Sequence, residues 1–438
     1  MTRYVIAALL ALLAGAPAAS AMQIEKIVSP AGITAWLVRE QATPLVALSF
    51  AFHGGSTQDD PAKSGTANLA ADLLDEGAGD LDSKAYHERL ENHAIELNFQ
   101  VARDYFHGSL QTLSEHRDEA FDLLRLALGA PRFDPEAVER VRGQVLSTLR
   151  RDSTNPNSVA SRRWWETAFP GHPYGLDSKG TPETLPRITA GDMRDYVRRA
   201  FARNELTVSI VGDIDAKAAG ALIDRAFGDL PAKNDLKTVA STAPQNLGKR
   251  IVIDLDVPQA VVDFGGQGLL RSDPDFMAGY LVNHILGGGS FSSRLYREVR
   301  EKRGLAYGVA ESLIWFKRTA VMFGSTATRA DRTSDALSII ENETKRMAEG
   351  GPTAVELSEA KSYLKGAYAL ALDSSAKIAA QLTQIQLDNL GIDYIKRRSA
   401  LIDAVTLDDA KRVAKRLYGG GMLVTVAGRP KGLSSSGE

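Results

Sequence analysis

The 438-residue sequence predicts an α+β protein made of two tandem homologous domains, each a mostly antiparallel sheet with helices packed on it. Three observations carry that expectation. The order of strand and helix signals in the first half starts again after residue 250. Residues 232–250 shift to Lys, Asn, Thr, Ser, Pro and Gln without periodicity, which marks a linker. Two β-rich segments end on glycine at Gly212 and Gly428, an offset of 428 − 212 = 216 residues. A chain of this length also exceeds one ordinary domain.

The elements follow in order. Arg3, the small-apolar run Val5–Ala19 and the close Ala19-Ser20-Ala21 predict a signal peptide over 1–21, cleaved after Ala21, and hence a periplasmic protein if the source is Gram-negative. The run is shorter than the roughly 20 residues needed to span a bilayer. The first domain, 22–231, opens with a hairpin, 23–28 and 33–38 around Ser29-Pro30-Ala31-Gly32, and a third strand at Leu45–His53. Helical periodicity covers 64–77 and 82–93. Two strands come at 95–101 and 104–111, helices near 114–129, 134–153, 157–168 and 190–202, a strand at 205–211 and a helix at 215–227. The second domain, 251–432, repeats the scheme. Its strands fall at 251–255, 260–265, 305–315, 319–327 and 423–427. Its helices fall at 273–286, 292–302, 330–348, 353–372, 375–390 and 406–416. Residues 433–438 are expected as a flexible tail.

Composition removes several function classes. Lys plus Arg number 52 against 54 Asp plus Glu, a net charge of −2, with no basic block, so a nucleic-acid face is not expected. No later segment is apolar enough to enter a membrane. There is no cysteine, which excludes disulfides, thiolate metal sites and a cysteine nucleophile. No G-x-S-x-G elbow occurs, and Gly287-Gly288-Gly289 lacks the Lys-Ser/Thr of a phosphate-binding loop. His87 and His93, six residues apart on a helix, stand about 120° apart and do not share a face. The remaining single histidines read as ordinary packed or solvated residues.

Several segments, in order, carry more specific information. These are Lys63-Ser64-Gly65-Thr66-Ala67, Asp75-Glu76-Gly77, His172-Pro173-Tyr174-Gly175, Asn204 to Gly212-Asp213, and Phe227-Gly228-Asp229-Leu230-Pro231. To them add Leu286-Gly287-Gly288-Gly289, Ser292-Ser293-Arg294-Leu295-Tyr296, and Val299-Arg300-Glu301-Lys302-Arg303-Gly304-Leu305-Ala306-Tyr307. Together they resemble the pitrilysin-type (insulinase-like) zinc metallopeptidases over essentially the whole chain after residue 21. Active members carry H-x-x-E-H on the first long helix, two histidines binding zinc and a glutamate activating water, with a further glutamate on a later helix. The matching positions here are Asn68, Ala71 and Asp72, and the third-ligand region offers Ser147 and Thr148. An alternative cation site of Asn68, Asp72, Asp75 and Glu76 competes with the plainer reading of a solvated acidic helix face.

The other half of the family's site is retained. The resemblance implies an arginine and a tyrosine seven apart that reach across to the zinc centre, and Arg300 and Tyr307 fit that spacing. Gly304 would turn the chain between them. The plain alternative is a salt-bridged helix end at Arg297–Arg303 and a core-packed Tyr307. The resemblance therefore implies the non-zinc subunit of a heterodimeric peptidase, forming half of a clamshell around a peptide-sized chamber. It implies no cofactor in this chain, zinc in a homologous partner carrying H-x-x-E-H, and unfolded peptides as substrates. The competing class is a scaffold or peptide-binding protein of the same fold, without catalysis.

Overall fold

The computed structural model describes residues 22–436; the expected signal peptide lies outside them. The first half holds a six-stranded sheet in the order β1-β2-β8-β3-β7-β6. Its strands are β1 (Ile24–Val28), β2 (Thr34–Arg39), β3 (Leu45–His53), β6 (Glu96–Val101), β7 (Tyr105–Leu113) and β8 (Leu206–Gly212). The small ribbon β4 (Gly77–Ala78) with β5 (Leu81–Asp82) stands apart. The second half holds β11-β12-β10-β13-β9, formed by β9 (Arg250–Ile253), β10 (Gln259–Gln267), β11 (Ala306–Trp315), β12 (Ala320–Arg329) and β13 (Leu423–Ala427).

The duplication is written in the pairing. Each sheet has one parallel contact, β2 with β8 and β13 with β9, and its other neighbours are antiparallel in the same sequence. The matching strand ends, Gly212 and Gly428, both have φ +147°. A side chain there would strike Leu45 O at 2.1 Å or the Ala260 side chain at 2.7 Å, so both positions require glycine. The fold class is α+β, as expected.

Helices are exchanged between the halves. Helix α5 (Pro156–Ala168) of the first half lies on the second sheet. Trp164 Nε1 donates to Leu423 O at 3.0 Å and Thr425 Oγ1 to Ala160 O at 2.9 Å. Helix α11 (Ser375–Leu387) of the second half lies on β3 and β8. There Thr383 Oγ1 donates to Ser49 O at 3.1 Å and Gln386 Nε2 to Val208 O at 3.1 Å. Both faces of each sheet are thus covered, which is why β3 and β10 are buried almost continuously instead of alternately.

The other helices are α1 (Thr66–Ala71), α2 (Ser83–Asn92), α3 (Arg117–Gly129), α4 (Pro135–Asp152), α6 (Ala190–Ala200), α7 (Ala216–Phe227), α8 (Phe276–Asn283), α9 (Thr333–Gly350), α10 (Ala354–Leu370), α12 (Tyr394–Asp403) and α13 (Leu407–Tyr418). Four expectations are corrected. Helix α1 stops at Ala71, not 77, because the chain tightens into three-residue hydrogen-bonded turns at Leu73, Leu74 and Glu76 before Gly77. The segment 273–286 ends as a π-helical turn, His284–Gly288, and 292–302 is largely a second, Tyr296–Glu301. Helix α12 was not anticipated. Residues 433–436 are not a loose tail: Ser436 pairs with Arg250 through bonds of 2.9 and 3.1 Å. That position on β9 corresponds to the one β1 takes on β2. Among the described residues no helix is long and apolar enough to cross a membrane.

Candidate functional site

At the position matching the zinc motif, α1 is capped by Asp59, which accepts from Gly65 N at 2.9 Å and Ala67 N at 3.0 Å. Burial pushes that carboxyl up to about 7. Asn68 Nδ2 donates to Asp72 Oδ2 at 2.8 Å, and Ala71 is buried apolar surface. Burial, and then the charge of Asp75, lifts Asp72 to about 6. In the third-ligand region, Arg151 donates to Ser147 Oγ at 3.1 Å and to Thr148 Oγ1 at 2.9 Å. A guanidinium therefore occupies the hydroxyls that stand where a ligating carboxylate is required. Zinc coordination needs three nitrogen, sulfur or carboxylate donors, and these residues do not provide them. The alternative oxygen site is not assembled either, because Glu76 turns away to Ser83 at 2.5 Å and to Arg140. Among the described residues no three His, Asp or Glu groups converge for a metal.

The Arg300–Tyr307 pair is assembled. Arg300 sits in the π-helical turn Tyr296–Glu301, and Gly304 at φ +60° reverses the chain into β11. Arg300 Nη1 donates to Tyr307 O at 2.7 Å. Its guanidinium carbon lies 5.6 Å from the Tyr307 ring centre and 5.8 Å from that of Tyr296, within cation–π range. A β-bulge between Ala306 and Val309 puts one extra residue on β11, which throws Tyr307 off the pleat. Tyr307 is 82% exposed, so it is not a core residue.

The neighbouring charges bear on the salt-bridge alternative. Arg294 and Arg297 pair with Glu356, and Lys302 and Arg303 pair with Glu298. Among the described residues, Arg300 is the cation of this run that no carboxylate neutralises. Among the described residues its other guanidinium nitrogens make no hydrogen bond.

The segment His172-Pro173-Tyr174-Gly175 has a different task. Tyr174 OH donates to Asp104 Oδ1 at 2.8 Å and accepts from Arg318 N at 3.1 Å, while Lys317 N donates to Asp104 Oδ2 at 2.7 Å. The tip of the β11–β12 hairpin is thereby clipped to the first half. Beside it His53 Nδ1 lies 2.6 Å from Lys317 Nζ and 2.9 Å from Glu205 Oε2. Burial first, and the Lys317 charge second, lower its pKa to about 4. Sequence reasoning treated His53 as an ordinary single histidine; its partners are 264 and 152 residues away (317 − 53 and 205 − 53), and no local signal announces them. His87 lies on α2 and His93 follows its last residue, and each ring is bonded to a backbone carbonyl four residues back.

Comparison with known proteins identifies relatives that share the family and the fold. Residues 35–181 match the profile described as Insulinase (Peptidase family M16), and residues 187–364 match Peptidase M16 inactive domain. The chain is 26% identical over 366 residues to a Helicobacter pylori protein named non-peptidase homolog YmxG, covering 84% of each. It is 27% identical over 398 residues to a Streptomyces coelicolor protein named uncharacterized zinc protease SCO5738, covering 88% of this chain and 85% of that one. A crystal structure titled peptidase M16 inactive domain, from Pseudomonas fluorescens, superposes with a TM-score of 0.88 at 27% identity, over 95% of this chain and 100% of that one.

Proposed function

The chain belongs to the insulinase-like family of peptidases, with the zinc motif lost, and on that basis we propose that it is the non-zinc subunit of a two-subunit peptidase. The partner is a homologous chain carrying H-x-x-E-H and zinc. The two doubled chains close around an unfolded peptide in the exported, periplasmic compartment that the first 21 residues point to. This chain supplies Arg300 and Tyr307 in trans. A zinc ion held by the partner's H-x-x-E-H residues would supply Lewis-acid polarisation of the scissile carbonyl. The neutral hydroxyl of Tyr307 donates a hydrogen bond to the oxygen that becomes anionic as water adds. Arg300, always charged and planar, holds a neighbouring substrate carbonyl or carboxylate. Strand β6, at the edge of the first sheet, offers a row of backbone groups to an extended peptide. The matching edge, β11, is capped by side chains: Arg300 on Tyr307 O and Asn283 Oδ1 on Leu313 N at 3.3 Å.

One observation carries the reading: an arginine without a carboxylate partner rests against an exposed tyrosine, in a chain whose zinc-motif positions are filled by Asn68, Ala71 and Asp72. A scaffold has no need of that pair. The test is peptide cleavage by this protein alone and mixed with the H-x-x-E-H homologue from the same source. Activity in the mixture alone, removed by a chelator, is expected. Tyr307→Phe should then lower turnover roughly 10²–10³-fold while the complex still forms. Unchanged turnover in the mixed complex sinks the catalytic role and leaves a peptide-holding subunit.

A further inference from the structure

Beneath the glycine run lies a polar group of three side chains in an otherwise apolar core. Glu311, 2% exposed, accepts from Tyr418 OH at 2.6 Å and from Asn283 Nδ2 at 3.0 Å, both on Oε1. Asn283 and Tyr418 are themselves buried. Asn283 also accepts from Leu313 N through Oδ1 at 3.3 Å. Leu295, Val299, Leu305, Val309 and Leu313 belong to the surrounding core. A carboxyl in such a place is costly to desolvate, and burial pushes Glu311 up to about 7 against the two hydrogen bonds. Apolar residues of similar volume commonly serve stability as well or better. The group therefore calls for a use other than stability.

Its placement supplies one. Asn283 is the last residue of α8, immediately before the π-helical turn and Gly287–Gly289. Glu311 lies on β11, four residues beyond Tyr307. Tyr418 ends α13. Gly287 presses on the same point: a side chain there would lie 2.6 Å from Glu311 Cβ and 2.9 Å from Glu311 N. Three separate elements thus meet on one carboxylate oxygen just behind the strand that presents Tyr307.

We infer that Asn283, Glu311 and Tyr418 are positioning residues that hold β11 in register with the glycine run, so that Tyr307 and Arg300 are pre-set before a partner docks. The inference deepens the proposed function and rests on it for its catalytic consequence. Side chains aligned in advance lose less freedom in the transition state, and small misplacements cost large factors in rate.

Two variants at one position test it. Glu311→Leu removes the acceptor, whereas Glu311→Gln keeps a carbonyl that can receive both bonds. With the zinc partner, Glu311→Leu should lower kcat about tenfold or more with KM and subunit affinity unchanged, and Glu311→Gln should restore kcat to within about threefold. Where Glu311→Leu does not fold, Tyr418→Phe removes one donor at nearly constant volume and should lower kcat a few-fold. Amide exchange over 305–310 in the isolated chain is read alongside and should quicken about tenfold in Glu311→Leu and measurably in Tyr418→Phe. Folded variants with wild-type exchange and wild-type kcat overturn the inference. Faster exchange together with an inert Tyr307→Phe rejects the catalytic reading and retains the anchoring of β11.

Discussion

Arg300 shows how little of a site's logic lies in one residue. Its spacing from Tyr307 was legible, but its lack of a carboxylate partner was not, because Glu298 and Glu356 had first to be assigned to its neighbours. In the proposed role Arg300 makes a planar, two-point contact, so Arg300→Lys should keep the charge and lose the fork. The mixed enzyme should then lose about 10–100-fold in kcat/KM, measured on a short peptide, the scale of one charge-assisted hydrogen bond at roughly 1.5–3 kcal/mol. His53 makes a prediction about pH. Its folded pKa is lowered to about 4, against about 6.5 unfolded. The unfolded chain therefore binds the proton first, and the stabilisation present above pH 6.5 is lost as pH falls toward 4. Asp59, Asp263 and Glu311 are raised to about 7 and act in the opposite direction, so the whole-protein profile mixes both. The difference in urea stability between wild type and His53→Asn isolates the histidine. It should shrink by about 2–3 kcal/mol between pH 7 and pH 4; a flat difference would mean His53 does not hold this contact with Lys317.

At the level of elements, periodicity located most strands and helices but misjudged those whose ends or inner faces depend on tertiary partners. Helix α12 escaped because the inward positions are Tyr394, Arg398 and Ile402. An arginine at the central one hides the apolar stripe. In the fold Arg398 is 6% exposed, donates to Leu364 O at 2.9 Å and lies 4.1 Å over the Tyr368 ring. The π-helical turns around Gly287 and Arg300 are likewise set by packing on β11, and such turns are characteristic of functional positions. The missing zinc motif, in contrast, was wholly local and could be read directly from Asn68, Ala71 and Asp72. The terminal segment 433–436 is the clearest miss. Serines read as a tail, yet β9 leaves an unpaired edge that Ser436 fills, and Ser435 Oγ accepts from Val252 N at 2.9 Å. Removing residues 432–438 should cost about 1–3 kcal/mol, two or three backbone hydrogen bonds plus the packing of Leu433. Thermal denaturation checks the size of the loss, and faster exchange at Arg250 and Val252 checks its place. Exchange unchanged at those amides would show that the tail does not protect β9.

Over the whole molecule, the exchange of α5 and α11 decides whether the duplicated halves are two domains or one folding unit. The first sheet turns Trp36, Val38 and Val211 toward Ala379, Leu382 and Ile385 of α11 and toward Tyr394. The second sheet turns Leu423 and Val321 toward Trp164, Trp165 and Phe169 at the end of α5. Burying one large apolar side chain is worth about 1.5–3 kcal/mol, so each exchanged helix contributes an amount comparable to the net stability of an entire domain. A half made without the other keeps its own helix with nothing to cover and bares one face of its sheet, which invites association. Residues 22–231 and 232–438 produced separately should each be aggregation-prone and lack cooperative melting. Mixed during refolding, the two should form a soluble one-to-one complex that melts as a single transition, as should the intact chain. Two well-separated transitions in the intact chain, or a stable monomeric first half, would show that the exchanged helices are only surface cover. A single transition has a functional corollary. The degenerate zinc position on α1 and the Arg300–Tyr307 pair would then belong to one folding unit, and under the two-subunit proposal an opening around a peptide is expected against the partner subunit and not between the halves of this chain.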